Sequence, residues 1–124
     1  MDKLILTSAL TGAITVPTQT PHLPYTVETI ANDGIACVKA GATSIHVHAR
    51  GENGSPSSDP ELVRKIVTRI KASCDAIICI TTGGGMGMTP QERLRGVSSC
   101  QPELGTFNLG SMNFSMHPVA RRYD

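Results

Sequence analysis

Two histidines spaced His-x-His are the residues of this chain best suited to chemistry. They are His46 and His48, in the stretch Ala42-Thr43-Ser44-Ile45-His46-Val47-His48-Ala49-Arg50. The β-branched Ile45 and Val47 interleave with them, so the stretch reads as a short strand. Side chains alternate across a strand; Ser44, His46 and His48 therefore share one face, and Ile45 and Val47 the other. Imidazole is the commonest neutral metal ligand, and two on one strand face can converge on one ion. Two ordinary half-buried histidines would show the same spacing, so both readings stand at this point. Arg50 follows directly and can hold an anion or fix its loop through a salt bridge. His22 sits between Pro21 and Leu23-Pro24, where it faces the site or packs on its prolines; His117, beside Pro118, reads as solvated.

The elements that must position these residues follow from apolar runs and helix-start signals. Lys3-Leu4-Ile5-Leu6-Thr7 reads as a first strand. A long polar loop with Pro17, Pro21 and Pro24 follows, and long loops inside compact domains tend to be functional. Thr26 can cap a helix that begins at Val27, with Ile30, Ile35 and Val38 as a weak apolar stripe and Gly41 at its end. Gly34 inside that helix costs roughly 1 kcal/mol against Ala. After the histidine strand, Gly51 to Ser58 is a turn-rich loop. Asp59-Pro60-Glu61 starts a second helix, in which Leu62, Val63, Ile66, Val67 and Ile70 recur at helical spacing. Ala76-Ile77-Ile78-Cys79-Ile80 has the composition of a strand buried on both faces. It runs into Thr81-Thr82-Gly83-Gly84-Gly85-Met86-Gly87, which lacks the Lys-Ser/Thr of a phosphate-binding loop and reads as a turn at the site. Thr89-Pro90-Gln91-Glu92 repeats the helix-start pattern, and Leu104 to Leu109 is a fourth strand ending in Gly110-Ser111-Met112-Asn113.

The order is βαβαβαβ, which implies an α/β fold with a parallel sheet and right-handed crossovers. Polar residues gather where each strand ends: Thr7-Ser8, His46-His48-Arg50, Thr81-Thr82 and Asn108-Ser111-Asn113. Sites of α/β folds lie at that carboxyl edge. Histidine, threonine and asparagine facing inward also suit a barrel interior. A (β/α)8 TIM barrel needs roughly 250 residues, and this chain has 124. The expectation is one domain over residues 1–124, about the first four β/α units of a barrel and truncated there. The competing reading is a complete four-unit chain that dimerises into a barrel.

Bulk properties remove several function classes. A net charge of +1 with 17% charged residues gives no basic surface for nucleic acid. With 3% aromatic residues and no Trp, base-stacking platforms are missing too. Apolar runs are too short to span a bilayer, and the start Met-Asp-Lys lacks a signal-peptide layout. Cys37, Cys74, Cys79 and Cys100 form no Cys-x-x-Cys pair, so they read as reduced, buried thiols of a cytoplasmic protein.

Four strings together resemble the beta-keto acid cleavage enzymes: Leu6-Thr7-Ser8-Ala9-Leu10-Thr11-Gly12-Ala13, Ile45-His46-Val47-His48-Ala49-Arg50, Ile80-Thr81-Thr82-Gly83-Gly84 and Asn108-Leu109-Gly110-Ser111-Met112-Asn113-Phe114. The best-known member cleaves 3-keto-5-aminohexanoate. The resemblance runs the length of the chain. It implies a zinc-dependent TIM barrel that exchanges acyl groups between a 3-keto acid and acetyl-CoA, giving acetoacetate and a new CoA thioester. It implies Zn2+ on His46 and His48, with zinc acting as a Lewis acid on the keto oxygen. It implies that Thr81 and Thr106 bind the substrate carboxylate, and it puts Thr82, Gly83 and Asn108 along the same edge. The aminohexanoate-cleaving member has a glutamate, matched to the substrate ammonium, where this chain has Ile14. That departure implies a neutral or apolar 3-keto acid. The third zinc ligand and the residues that start the chemistry are expected beyond residue 124; Glu61, Glu92 and Glu103 fall on helices or before a strand. A homo-oligomer is expected, with 3-keto acid and acetyl-CoA as partners and, from composition, no nucleic acid or membrane. Rival readings are a metal-dependent TIM-barrel hydrolase, in which His-x-His belongs on the first strand, and a non-catalytic truncated scaffold.

Overall fold

The computed structural model describes residues 3–108. Leu109, the Gly110–Asn113 motif and His117 lie outside the described residues, and within them the fourth strand ends at Gly105, short of the expected Leu109. Within them the chain is α/β. The order is β1 (Thr7–Ala9), a 3-10 turn (Pro17–Gln19), α1 (Val27–Lys39), β2 (Ser44–Val47), β3 (Ala49–Arg50), β4 (Pro56–Ser57), α2 (Pro60–Lys71), β5 (Ile77–Ile80), α3 (Pro90–Cys100) and β6 (Leu104–Gly105). β1, β2, β5 and β6 form one sheet in that order, and every pairing in it is parallel.

The helix starts are those that capping chemistry predicts. The hydroxyl of Thr26 accepts from Thr29 N, the carboxylate of Asp59 from Glu61 N, and the hydroxyl of Thr89 from Glu92 N. Each bond satisfies one of the amides that a helix leaves unpaired at its start. At the other end of α1, Ala40 is the cap and Gly41 follows with φ 111°.

All three helices pack on one face of the sheet. Ile45 and Val47 of β2 and Ile78 and Ile80 of β5 point into that layer. They meet Ile30 and Ala31 of α1 and Val63, Ile66 and Ile70 of α2, with Val97 and Cys100 of α3 packed alongside. α1 tolerates Gly34 because it crosses α2 and β2 at close range. A Cβ there would sit 3.1 Å from Ile70 Cδ1 and 3.5 Å from Ile45 Cγ2. The glycine's helix penalty is offset by a tighter crossing.

Other expectations change as well. The first strand begins at Thr7 and not at Lys3, because Leu4 and Ile5 are 86% and 73% exposed and find nothing to pack on. β5 is buried on one face only; Ile77 and Cys79 point away from the helices, and Ile77 is 42% exposed. The Gly51–Ser58 loop is an antiparallel ribbon in which Ala49 pairs with Ser57 and Arg50 with Pro56.

Candidate functional site

The face of the sheet opposite the helices carries the polar residues. On β2, alternation puts Ser44 and His46 there, and His48 follows just past the strand end. The parallel register sets His46 beside Ala9 of β1 and Cys79 of β5. At the carboxyl ends of these strands lies a cavity of about 630 Å3. His46, His48, Thr81, Thr106 and Asn108 line it from the sheet side, and Ala13 and Ile14 from the loop after β1. Gly83, Gly84, Gly85, Met86 and Gly87 line it from the turn after β5, together with Arg93 of α3. The predicted site residues therefore converge, with one exception. Thr82 does not line the cavity but holds Thr106 in place. His22 is also absent from the lining, and its amide donates to Thr20 Oγ1 at 3.2 Å in the first loop.

The two imidazoles face each other, with Nε2 of His46 and Nε2 of His48 3.0 Å apart. Their rings meet edge to face at 82°. Two nitrogens each about 2.0–2.1 Å from one tetrahedral ion would be roughly 3.3 Å apart, so this donor pair fits a shared metal ion. Burial holds His46 below its ordinary value of 6.5. Burial first, then the positive charge of His46 and Arg50, pushes His48 down to about 4. Both rings are thus neutral near pH 7, the state in which imidazole binds metal. Among the described residues no group of three or more His, Cys, Asp or Glu side chains could hold an ion. The acids named in the sequence are engaged elsewhere. Glu103 pairs with Lys71 and accepts from Ile78 N at 3.1 Å. Glu92 accepts from the amide and hydroxyl of Thr89 in a capping box, and Glu61 pairs with Arg64.

Both threonine hydroxyls are held by their neighbours. Thr81 Oγ1 accepts from Gly83 N at 3.1 Å, and Thr106 Oγ1 accepts from Thr82 N at 2.8 Å. Thr82 Oγ1 donates to Thr106 O at 2.7 Å. With an acceptor lone pair occupied, the Thr81 hydroxyl can turn its O–H bond to a carboxylate in the cavity, and Thr106 Oγ1, which lies 3.2 Å from Thr82 Oγ1 and donates there, can do so by giving up that contact.

Arg50 is buried and fixes loops, through main-chain carbonyls. It donates to Gly12 O at 2.6 and 3.2 Å and to Gly54 O at 2.6 Å, joining the loop after β1 to the β3–β4 turn. Thr11 Oγ1 donates to His48 O at 3.4 Å, so the same loop also steadies the histidine main chain. The glycine-rich turn after β5 is held by Arg93, which donates to Gly83 O and, at 3.0 Å, to Met88 O. Gly84 is required there: its φ is 58°, and a Cβ would lie 2.8 Å from Arg93 Cγ.

Two residues of the site were not anticipated from the sequence. Arg93 stands one turn into α3 from the Thr89 cap, a position that a helical projection could have aimed back at the turn. Cys79 was read as a buried thiol, yet its sulfur lies 3.3 Å from His46 Nδ1. Only the strand register, which has no local signature, makes them neighbours.

The sequence matches the family model described as beta-keto acid cleavage enzyme over residues 3–123. The chain belongs to the beta-keto acid cleavage enzyme family. It is 45% identical over 122 residues to the 3,5-dioxohexanoate:acetyl-CoA acetone transferase of Paraburkholderia graminis, covering 98% of this chain and 39% of that relative. It is 44% identical over 115 residues to the 3-keto-5-aminohexanoate cleavage enzyme of Fusobacterium nucleatum subsp. nucleatum, covering 92% and 42%. It is 31% identical over 110 residues to the 3-oxoadipate:acetyl-CoA acetyltransferase of Cupriavidus necator, covering 89% and 38%. The chain thus spans about two fifths of the length of these relatives.

Proposed function

We propose that this chain carries the metal- and keto-acid-binding part of a zinc-dependent beta-keto acid cleavage enzyme, and that its sheet is about half of a (β/α)8 barrel. The reaction is acyl exchange between a 3-keto acid and acetyl-CoA, giving acetoacetate and a new CoA thioester. The observation that carries this reading is the convergence of the His46 and His48 Nε2 atoms, 3.0 Å apart, in a cavity that Thr81 and Thr106 also line. The relatives' names, with their keto acids and acetyl-CoA, support the same chemistry.

In this reading His46 and His48 hold the zinc. Bound zinc would supply Lewis-acid polarisation of the 3-keto oxygen. Thr81 and Thr106 donate to the substrate carboxylate and orient it, which converts part of the barrier into binding. The third ligand and the groups that start the chemistry come from outside the described residues. Ile14, 54% exposed on the cavity, offers an ammonium ion nothing to pair with, so the substrate tail is neutral or apolar. The Paraburkholderia relative fits this, since its name specifies a 5-keto group. A cytoplasmic homo-oligomer completes the reading; among the described residues no helix is long and apolar enough to cross a membrane.

With the two histidines as its only ligands among the described residues, the 124-residue chain should bind zinc weakly and exchange no acyl groups by itself. Isothermal titration with zinc tests the first point: weak binding should disappear in the His46→Ala/His48→Ala variant. Mixing the chain with the portion of the Paraburkholderia relative that it does not cover, a neutral 3-keto acid and acetyl-CoA tests the second. Acetoacetate should form only in the mixture. Acyl exchange by the chain alone, or undiminished zinc binding by the double variant, would overturn the reading.

A further inference from the structure

We propose that Cys79 is the positioning residue of the histidine pair: its sulfur accepts the Nδ1 proton of His46 and so leaves the His46 Nε2 lone pair facing the metal position. The inference rests on the zinc reading above, and it concerns how this chain prepares one of its two ligands.

The geometry is specific. His46 and Cys79 are register partners on adjacent parallel strands, so both side chains stand on the face away from the helices. Cys79 Sγ is 3.3 Å from His46 Nδ1, within reach of a hydrogen bond to sulfur. The other ring nitrogen of His46 faces His48 Nε2 at 3.0 Å. A neutral imidazole has one proton and two nitrogens. If Nε2 is to offer a lone pair, the proton must sit on Nδ1, and an acceptor must be there to take it. Metal-bound histidines are usually fixed in this way by a carboxylate, a main-chain carbonyl or water. Here a thiol holds that place. Sulfur is a weak acceptor and also a weak donor, so without metal the chain of bonds Cys79–His46–His48 could run in either direction. The proposal selects one: Cys79 accepts, His46 carries its proton on Nδ1, and His48 donates from Nε2. When both Nε2 atoms take a metal, only the His48 proton has to move to its other nitrogen.

The test reads the tautomer directly. Nitrogen-15 NMR of the imidazole rings is recorded on the metal-free full chain, its Cys79→Ser variant and its Cys79→Ala variant. Zinc affinity is measured in parallel by competition with a chromophoric chelator. The wild-type ring of His46 should be protonated on Nδ1. Cys79→Ser keeps an acceptor and should preserve that tautomer. Cys79→Ala should shift the proton toward Nε2 and weaken zinc binding by about tenfold, the lower end for loss of a ligand's outer partner. Matching thermal midpoints for the two variants establish that the alanine chain is folded. A wild-type His46 protonated on Nε2, or an alanine variant with unchanged tautomer and zinc affinity, overturns the proposal. An Nδ1 tautomer that depends on Cys79, with zinc binding indifferent to His46→Ala, overturns the zinc reading and with it the role assigned to Cys79.

Discussion

Arg50 shows how much a single residue carries here. It is a buried guanidinium whose charge is spread over the carbonyls of Gly12 and Gly54. Removing it strands those carbonyls away from water and separates two loops that border the histidines. Hydrogen bonds to a charged group contribute about 1.5–3 kcal/mol each, net, so Arg50→Ala should destabilise the chain by about 3 kcal/mol in urea unfolding. Arg50→Lys should recover only part of this, because an ammonium cannot span both carbonyl groups with the fork of a guanidinium. At this scale the sequence was legible where chemistry follows from spacing. His46 and His48 had to share a face once the strand was recognised. The partners of Arg50 were not legible: they are main-chain atoms 4 and 38 residues away, and no side-chain type announces them.

Elements were most legible where caps define them. Thr26, Asp59 and Thr89 each start the helix that their side chains predict. Strands were less legible, because their limits depend on what they lie against. Leu4 and Ile5 have the composition of a strand, but pairing within the described residues begins at Thr7. The β3–β4 ribbon was missed for a related reason. Two-residue strands containing Pro56 have no alternation to detect, and the turn between them is held by Gly51 N donating to Ser55 O at 2.8 Å and by Arg50. The packing of α1 against α2 gives a prediction at this scale. Gly34→Val would push methyl groups into Ile70, Leu10 and Ile45. Overpacking of this kind costs about 1–3 kcal/mol, and the loss should appear as a lower denaturation midpoint with unchanged helix content by circular dichroism.

Across the whole molecule the two faces of the sheet differ in kind. One is sealed by helices; the other exposes Ile77 and Leu104 and carries, at the carboxyl ends of its strands, the hydroxyls and imidazoles of the cavity. That division was legible from the polar residues at the strand ends. The histidines make the stability of the whole depend on pH. Their folded values lie below the 6.5 of an unfolded chain, at about 4 for His48. Between those values the unfolded state binds protons that the folded state does not, so stability is full above pH 6.5 and falls as pH drops toward 4. The loss should approach about 3 kcal/mol at most for His48. Thermal midpoints between pH 7.5 and 4.5 should decline accordingly, and His48→Gln should flatten the decline.

The spacing of the two histidines reaches beyond the folded state. Thr81, Thr106 and Cys79 meet the histidines only after long crossovers bring β2, β5 and β6 together. His46 and His48 need no crossover, because a single residue separates them. They remain a chelating pair when the sheet has come apart. A metal that binds the unfolded chain as well as the folded one stabilises the fold by less than its affinity alone would give. On the proposed zinc reading, the ion should therefore act as a cofactor for chemistry far more than as a rivet for the fold, and the chain can acquire it before folding is complete.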